Sequence, residues 1–518
     1  MQFSRDSARD APRPNPSLPL MLDMLLMAAL GALQTFAFVQ TAWWPLPWLC
    51  IATLAWRLRA ASEKRAASFG WAFGTGWLLA GTWWLFISLH RYGGLPAWMA
   101  ALAVFALCAL LSIYLALAMA AFARFRCGRA GADALLFAAV WMLAELARAI
   151  IFTGVPWVAT GYSQVDAPLA KLAPWVGVYG IGFVVAALSA WAAFALLNAR
   201  ARPSGLWWPA AVTAILMAFG AFDSVGFTEA TGKLSVTLIQ GNIPQEEKFA
   251  AERQGGALTW HLDTLLASKS DLVIAPETAI PVLPEQLPPG LWNDIAQHFV
   301  VQKTHALVGV PLGNDDVGYT NSAVGFGPKA GPNADSYRYD KHHLVPFGEF
   351  IPTGFKWFTQ LMNIPLGDFN RGPITAPSFT VKAERVAPNI CYEDLFGEDL
   401  AARFVDEASA PTLFANISNI GWFGDSIAIA QHLNLSRMRA LEFQVPMLRA
   451  TNTGATAVID HKGKVTHSLP PHQRGVLEAT VQGRSGVTPF AWWAGRFYLW
   501  PLIGLAALVL LWRAFRRR

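Results

Sequence analysis

Charge is scarce in this sequence. Asp, Glu, Lys and Arg make up 14% of its 518 residues, against 54% hydrophobic, which excludes an ordinary soluble protein. Cysteine is scarcer still: Cys50 and Cys108 lie in apolar runs, Cys127 in a basic loop, and Cys391 alone in the polar part. That part therefore cannot close a disulfide on itself. No internal repeat or low-complexity tract is present. No His, Cys or carboxylate set has zinc-like spacing; the adjacent His342 and His343 point apart in extended chain, so neither a metal nor another cofactor is expected. No convincing small-residue cleavage site follows the first apolar segment, which is expected to stay as a helix.

The charge that is present is unevenly placed. Residues 230–490 carry 20 basic and 25 acidic side chains; the remainder carries 20 basic and 9 acidic. The net charge of +6 thus belongs to the apolar part, where it orients helices in a bilayer and does not mark a nucleic-acid partner. Apolar runs at 18–39, 42–56, 69–89, 96–122, 133–151, 174–198, 207–225 and 495–512 predict eight transmembrane helices. Basic clusters fall in alternate loops (Arg57, Arg59, Lys64 and Arg65; Arg124, Arg126 and Arg129; Arg200 and Arg202) and at the end (Arg513, Arg516, Arg517 and Arg518). Eight spans put all of them on the cytoplasmic side and residues 230–490 outside. Three regions are expected: a seven-helix membrane region with a cytoplasmic N-terminus over 1–229, an extracytoplasmic domain over 230–490, and an eighth helix with a basic tail over 491–518. In the fifth run, Glu145 and Arg148 share a helix face, either as a mutually neutralised pair or as a lipid-headgroup contact.

From Leu234 the pattern changes to short strands (234–240, 271–276, 306–311, 321–326, 385–390, 411–417 and 454–460) alternating with helices (246–268, 291–303, 394–404 and 428–444). That alternation predicts a layered α/β domain. Three residues in it could carry chemistry. Cys391 ends an apolar run and precedes acidic residues that open a helix, whose N–H groups would favour a thiolate; a small buried hydrophobe is the plainer reading. Glu277 ends the strand Asp271-Leu-Val-Ile-Ala-Pro-Glu277, where it is either a general base in a dry cleft or an ordinary exposed carboxylate. Lys341 lies among aromatic and apolar residues, as an oxyanion partner or a solvated lysine.

Glu, Lys and Cys in that order resemble the nitrilase superfamily. The strings Gln240-Gly-Asn-Ile-Pro-Gln245, Pro276-Glu-Thr-Ala-Ile-Pro281, Tyr339-Asp-Lys-His-His-Leu-Val-Pro-Phe-Gly-Glu349, Ile390-Cys-Tyr-Glu393, Asn416-Ile-Ser-Asn419, Trp422-Phe-Gly424 and Arg449-Ala-Thr-Asn-Thr-Gly454, with the eight-span topology, resemble the apolipoprotein N-acyltransferase family. The resemblance covers nearly the whole chain. It implies an αββα sandwich on the periplasmic face of the bacterial inner membrane. It implies transfer of a fatty acyl chain from a phospholipid to the N-terminal amine of a diacylglyceryl-modified apolipoprotein. Glu277 would be the general base, Lys341 the oxyanion stabiliser and Cys391 the nucleophile. Glu349, Tyr392 and Glu393 would support them, and Trp422 and Phe423 would meet substrate. Two positions depart from the pattern: Lys248-Phe249 stands where Lys-Trp is common, keeping an aromatic wall without an indole donor, and Ile420-Gly421 stands where Asp-Ala is common.

A thiolate suits an ester acyl donor, and a thioester would then wait for an amine in a ping-pong scheme. The apolar stretch 347–369, with Phe350, Trp357 and Phe358, would either pack in a core or form an arm dipping into lipid and keeping water from the thioester. Two other readings share these residues. A membrane-tethered nitrilase-like amidase needs no such arm. A lipid- or lipoprotein-binding protein would have no use for the intact Glu277, Lys341 and Cys391.

Overall fold

The computed structural model describes residues 19–198, 207–221, 225–248, 251–328, 336–352 and 368–516. Within these, four helices are long and apolar enough to cross a membrane: Leu20–Phe38, Ala97–Phe125, Ala130–Thr153 and Pro168–Leu196. Two bent pairs raise the number to six: Glu63–Thr82 with Leu85–Tyr92, bent by 63°, and Pro489–Phe497 with Trp500–Phe515, bent by 85°. The runs at 42–56 and 207–225 form shorter helices, Pro45–Leu58 and Trp207–Ala221, of 14 and 15 residues. At about 1.5 Å per residue these rise roughly 21–23 Å, less than a hydrocarbon core of about 30 Å.

One end of the bundle gathers the basic loops. Buried Asp23 pairs with both Arg57 and Arg65. Arg126 donates to the carbonyls of Leu58 and Ala61, each at 2.8 Å, and Arg513 to that of Phe125 at 3.0 Å. The polar half of the chain sits on the other end.

That half is built on two six-stranded sheets. The strands are β1 (Thr228–Gln240), β2 (Leu272–Ile274), β3 (His305–Asn314), β4 (Gly318–Phe326), β5 (Tyr337–Asp340), β6 (Phe379–Val381), β7 (Glu384–Ile390), β8 (Leu413–Ser418), β9 (Met447–Thr451), β10 (Ala457–Ile459), β11 (Val465–Ser468) and β12 (Gly475–Gly486). The sheet orders are β12-β1-β2-β3-β4-β5 and β11-β10-β9-β8-β7-β6. In each sheet two parallel pairings are flanked by antiparallel ones. Strand alternation explains the layering. Leu234, Val236 and Leu238 of β1 meet Val386, Ile390, Leu413, Ala415 and Ile417 of the facing sheet. The intervening Ile239 and Val273 point outward onto helices Ala251–Ala267 and Leu291–Gln302. Ala387 and Phe414 point the other way, onto Phe443 of helix Ala428–Phe443. The layers are therefore helix, sheet, sheet, helix. β1 begins at Thr228 and helix Pro489–Phe497 straddles residue 490, so both expected domain borders fall at or just inside an element.

Helix Ala428–Phe443 joins the sandwich to the bundle with polar side chains. Gln431 accepts from the indoles of Trp84 and Trp157 at 3.1 and 2.8 Å, and donates to Gly81 O at 3.1 Å. Asn434 donates to Phe38 O at 3.1 Å. Glu442, fully buried, pairs with Arg439 at 3.1 Å and accepts from Val178 N at 2.8 Å. That amide follows a break in helix Ala173–Asn198 at Gly177, where φ is +65° and an added Cβ would lie 2.4 Å from the Phe490 ring. A helix break frees a backbone N–H that must be satisfied inside the structure, and Glu442 does so. Glu145 and Arg148, in the bundle itself, are tied to the loop above them: Glu145 accepts from Thr160 N at 2.7 Å, and Arg148 donates to Val155 O at 3.1 Å.

Glu442→Ala leaves the buried Arg439 unpaired and the Val178 amide unsatisfied. The expected loss is about 3–5 kcal/mol, read as a lower melting temperature of the purified protein in detergent. Glu442→Gln, which keeps an acceptor for Val178, falls between. A melting temperature unchanged in the alanine variant would show that this pair does not hold the halves together.

Candidate active site

Cys391 follows β7 directly and opens a tight 3₁₀ turn, Cys391–Leu395, with φ of +52°. Left-handed backbone is costly for a residue with a side chain, so its surroundings must hold it. Glu393 does much of this. Its carboxylate accepts from Ile390 N at 2.6 Å, His342 N at 2.7 Å, His343 N at 3.1 Å and the Tyr339 hydroxyl at 2.8 Å. One carboxylate thus ties the cysteine turn to the loop carrying Lys341. The Cys391 carbonyl is held from behind. His432 receives a bond on Nδ1 from Arg449 at 3.3 Å, which leaves the proton on Nε2, and Nε2 donates to Cys391 O at 3.1 Å. Burial and the Arg449 guanidinium keep that ring neutral, well below its ordinary pKa. Asn416 donates to the same carbonyl at 3.4 Å.

Glu277 closes the loop after β2. Oε1 accepts from Asn321 Nδ2 at 2.7 Å and lies 3.5 Å from Lys341 Nζ, while Oε2 accepts from Asn419 N at 2.8 Å. Lys341, at 1% exposure, pairs with Glu349 at 2.9 Å. Asn321 also donates to Glu349 at 2.7 Å and so bridges both acids. Burial alone would depress the Lys341 amine, but Glu349 and Glu277 outweigh it and hold its pKa above the ordinary value. Cys391 is half-buried, in contrast to the nearly enclosed acids and lysine. Burial and then the Glu277 carboxylate push its thiol pKa up, with Lys341 opposing.

This corrects one expectation. The segment 394–404 was expected as one helix whose N-terminus favours a thiolate. It is broken into the 3₁₀ turn, a five-residue helix Gly397–Ala401 and a second 3₁₀ turn, Ala402–Phe404. So short a helix carries little aligned dipole, and two carboxylates near one ammonium favour the neutral thiol. The arrangement has a thiol, a carboxylate able to take its proton, and an ammonium that can face a developing oxyanion.

The remaining expected residues scatter. Tyr392 is buried and its hydroxyl donates to Gly154 O of the bundle at 2.8 Å. Phe423 packs 4.2 Å from Trp84 and 6.4 Å from Trp157, and Trp422 lies 5.5 Å from Tyr92, so both face the bundle end. Phe350 lies under Arg371, at 5.0 Å, on the loop after Glu349. Phe249, Trp357 and Phe358 lie outside the described residues. His342 bonds Gly372 O, and His343 bonds Asp399 and Thr153 O, so the two diverge. Among the described residues no group of three or more His, Cys, Asp or Glu could hold a metal ion.

Sequence reasoning assigned no role to Asn321, His432 or Lys248. Asn321 had a signal: a polar residue inside an otherwise buried strand. His432 had a weaker one, a helix carrying Gln431, His432, Asn434 and Ser436 with too few apolar residues for its burial. Lys248 is 3% exposed and donates to Glu277 O at 2.8 Å. Burial lowers its pKa to about 8, against the pull of Glu277 and Cys391.

Residues 30–191 match the family described as the apolipoprotein N-acyltransferase N-terminal domain, and 235–489 match carbon-nitrogen hydrolase. A protein of Verminephrobacter eiseniae named apolipoprotein N-acyltransferase is 50% identical over 93% of this chain and 94% of its own. Proteins of that name from Ralstonia nicotianae and Bordetella bronchiseptica are 44% and 38% identical, over 95% of this chain in both cases and 93% and 96% of theirs.

The Lys248 ammonium favours a charged Cys391 below pH 8 and is lost above it. Lys248→Met is therefore expected to slow iodoacetamide alkylation of Cys391 at pH 7 by roughly three- to tenfold, half to one pKa unit. The gap should narrow above about pH 9, where the wild-type amine is neutral as well. Mass spectrometry of the Cys391 peptide separates it from exposed Cys127. A constant gap at all pH values would mean Lys248 acts by packing alone.

Proposed function

Given that the chain belongs to the apolipoprotein N-acyltransferase family, an acyltransferase line within the nitrilase superfamily, we propose that Cys391 carries the acyl group in transit, with Glu277 as its base and Lys341 as the oxyanion partner. The chain is an acyltransferase of lipoprotein maturation. The observation that carries the site assignment is the convergence of Glu277, Lys341 and a half-open Cys391 at the one end of the bundle where the sandwich is docked.

Thiol sulfur attacks the ester carbonyl of a phospholipid as Glu277 takes the thiol proton. The negative oxygen of the tetrahedral adduct is held by the Lys341 ammonium and by the backbone N–H of Tyr392 in the cysteine turn. The ester C–O bond breaks, Glu277 returns the proton to the departing lysophospholipid oxygen, and a thioester remains. The N-terminal amine of a diacylglyceryl-modified apolipoprotein then attacks the thioester. Glu277 takes the amine proton, the C–S bond breaks, and the proton goes to sulfur. The raised thiol pKa suits this order, because the base acts during attack and no thiolate waits between turnovers. Glu349 and Asn321 hold Lys341 and Glu277 in place; Glu393 holds the turn.

The membrane placement follows from charge. The bundle end gathering Arg57, Arg65, Arg126 and Arg513 is opposite the sandwich. Positive charge stays cytoplasmic, which supports the reading that the catalytic domain faces the periplasm from an inner membrane. Eight spans over 1–229 and 491–518 fit this if the helices of 14 and 15 residues cross with their flanking Trp and Pro residues in the interface. Phe423, Trp422, Trp84 and Trp157 form the apolar ground between site and bilayer, where acyl chains enter.

The test uses purified protein and a phospholipid with a labelled acyl chain. Label is expected on the Cys391 peptide without acceptor, and on a diacylglyceryl peptide once that is added. Cys391→Ala abolishes both steps; Glu277→Gln and Lys341→Met slow the first by about 10² or more. Label that leaves Cys391 for water and never for the peptide amine would make the protein a lipid hydrolase instead.

A further inference from the structure

A second chemically distinct place lies at the corner where helix Pro489–Phe497 turns by 85° into helix Trp500–Phe515. A cavity of about 360 Å³ opens there, with Glu398, Ala402, Arg496, Tyr498 and Trp500 in its wall. None of the site residues above lines it. Glu398, on the short helix Gly397–Ala401, is 2% exposed and its Oε1 has no hydrogen-bond partner. Burial and neighbouring Asp399 push its pKa to about 8, and the Arg439 guanidinium, already paired with Glu442, offsets them only in part. Arg496 stands in the same wall. Its guanidinium lies 5.2 Å from the centre of the Trp492 ring and is steadied by the carbonyls of Trp492 and Val405, at 3.2 and 3.0 Å. Two of its five donors are spent on these. Phe497 and Trp500 in the wall are 50% and 70% exposed, and Trp492 beside Arg496 is 47% exposed, as residues at a headgroup layer are.

An orphaned carboxyl oxygen, a free guanidinium edge and an aromatic collar match a zwitterionic lipid with a primary amine. We propose that this corner is a standing phospholipid site, separate from the acyl-transfer site and selective for a primary-ammonium headgroup. The ammonium sits on Glu398 and the phosphate on Arg496, with the chains running along Trp500 and the exposed Leu505 and Leu508 below it. A glycerol headgroup brings no cation to Glu398. A trimethylammonium group brings charge but no N–H for the empty oxygen. No cysteine lines the cavity, and the lipid held there is not the donor that Cys391 attacks. Its place is beside the site all the same: Asp399, next to Glu398, bonds His343 Nδ1 at 2.9 Å, and His343 is two residues from Lys341.

The proposal rests on the bilayer placement and not on acyl transfer. Its probe is therefore a diether lipid, which has no ester to transfer, bearing a diazirine near the glycerol and offered to the full-length protein in nanodiscs. Diether phosphatidylethanolamine is expected to mark the peptide spanning residues 489–505 at least fivefold more than the phosphatidylglycerol or phosphatidylcholine analogue. Glu398→Gln, at a buried residue, should erase that preference, and Arg496→Gln, at an exposed one, should lower marking by all three lipids at least threefold; retained labelled-acyl turnover shows that a variant is folded. Equal marking by the three lipids, a preference surviving Glu398→Gln, or marking unchanged by Arg496→Gln overturns the proposal. Loss of acyl transfer with this marking intact would strike only at the function proposed above.

Discussion

The structure depends on burying one polar helix between two apolar bodies. Helix Ala428–Phe443 has its outward face on the bundle and its inward face on the second sheet, yet it carries Gln431, His432, Asn434, Arg439 and Glu442, all buried. Polar side chains buried on a helix beside its apolar ones are tolerated only where they find partners. Here the partners come from both bodies: indoles and carbonyls of the bundle on one side, the Cys391 carbonyl and the Asp394–Arg449 pair on the other. An apolar helix would bury as much surface but could slide, because dispersion has little preference for register. Directional bonds to Gly81, Phe38 and Val178 fix the depth at which the sandwich sits. His432 belongs to the same helix, so the cysteine turn is positioned by the element that docks the domain.

The electrostatics of the site follow from its enclosure. Glu277 and Glu349 both face Lys341, and one ammonium cannot neutralise two carboxylates and a thiolate together. The cheapest resting state keeps the proton on sulfur. In the proposed mechanism sulfur becomes a nucleophile only when an ester carbonyl is close enough to offset deprotonation, with the new charge passing to an oxygen beside Lys341. The buried Lys248 adds a second, weaker cation behind Glu277. Strain at Cys391 is held by groups that do not react. Glu393 and His432 clamp the backbone on either side of the sulfur without bonding to the sulfur themselves.

Much of this was legible before any coordinates, and what was not has physical reasons. Glu277 and Cys391 each stand just past a short strand with buried residues, and such punctuation survives in sequence; Lys341 follows β5 and lacks it. Strands with both faces buried, such as Leu413–Ser418, read as apolar runs. β12 did not, because its residues alternate between exposed and half-buried and its length is set by pairing with β1. β5, Tyr-Arg-Tyr-Asp, is too short and polar to announce itself and is held by β4. β9 hides Arg449 in a strand core, a placement that makes sense only with Asp394 present, 55 residues away in sequence. The span count shows the same limit: hydropathy marks where apolar helices are, but a 14-residue helix and an 85° corner are decided by packing.

The choice between transfer and hydrolysis is also a matter of placement. A thioester is lost to whichever nucleophile reaches it, and an isolated sandwich with the same three residues would present water first. Here the cysteine turn is tied to the bundle through Tyr392 and Gly154, and the loop with Lys341 through His343 and Thr153. Trp84, Trp157 and Phe423 close the side nearest the bundle with apolar surface. A nucleophile must then arrive with an apolar body of its own to be concentrated at that surface. A lipid-modified N-terminus meets this requirement and a water molecule does not. On the function proposed here, the membrane helices set which acceptor is chosen although none of them supplies one of the three proposed reacting groups.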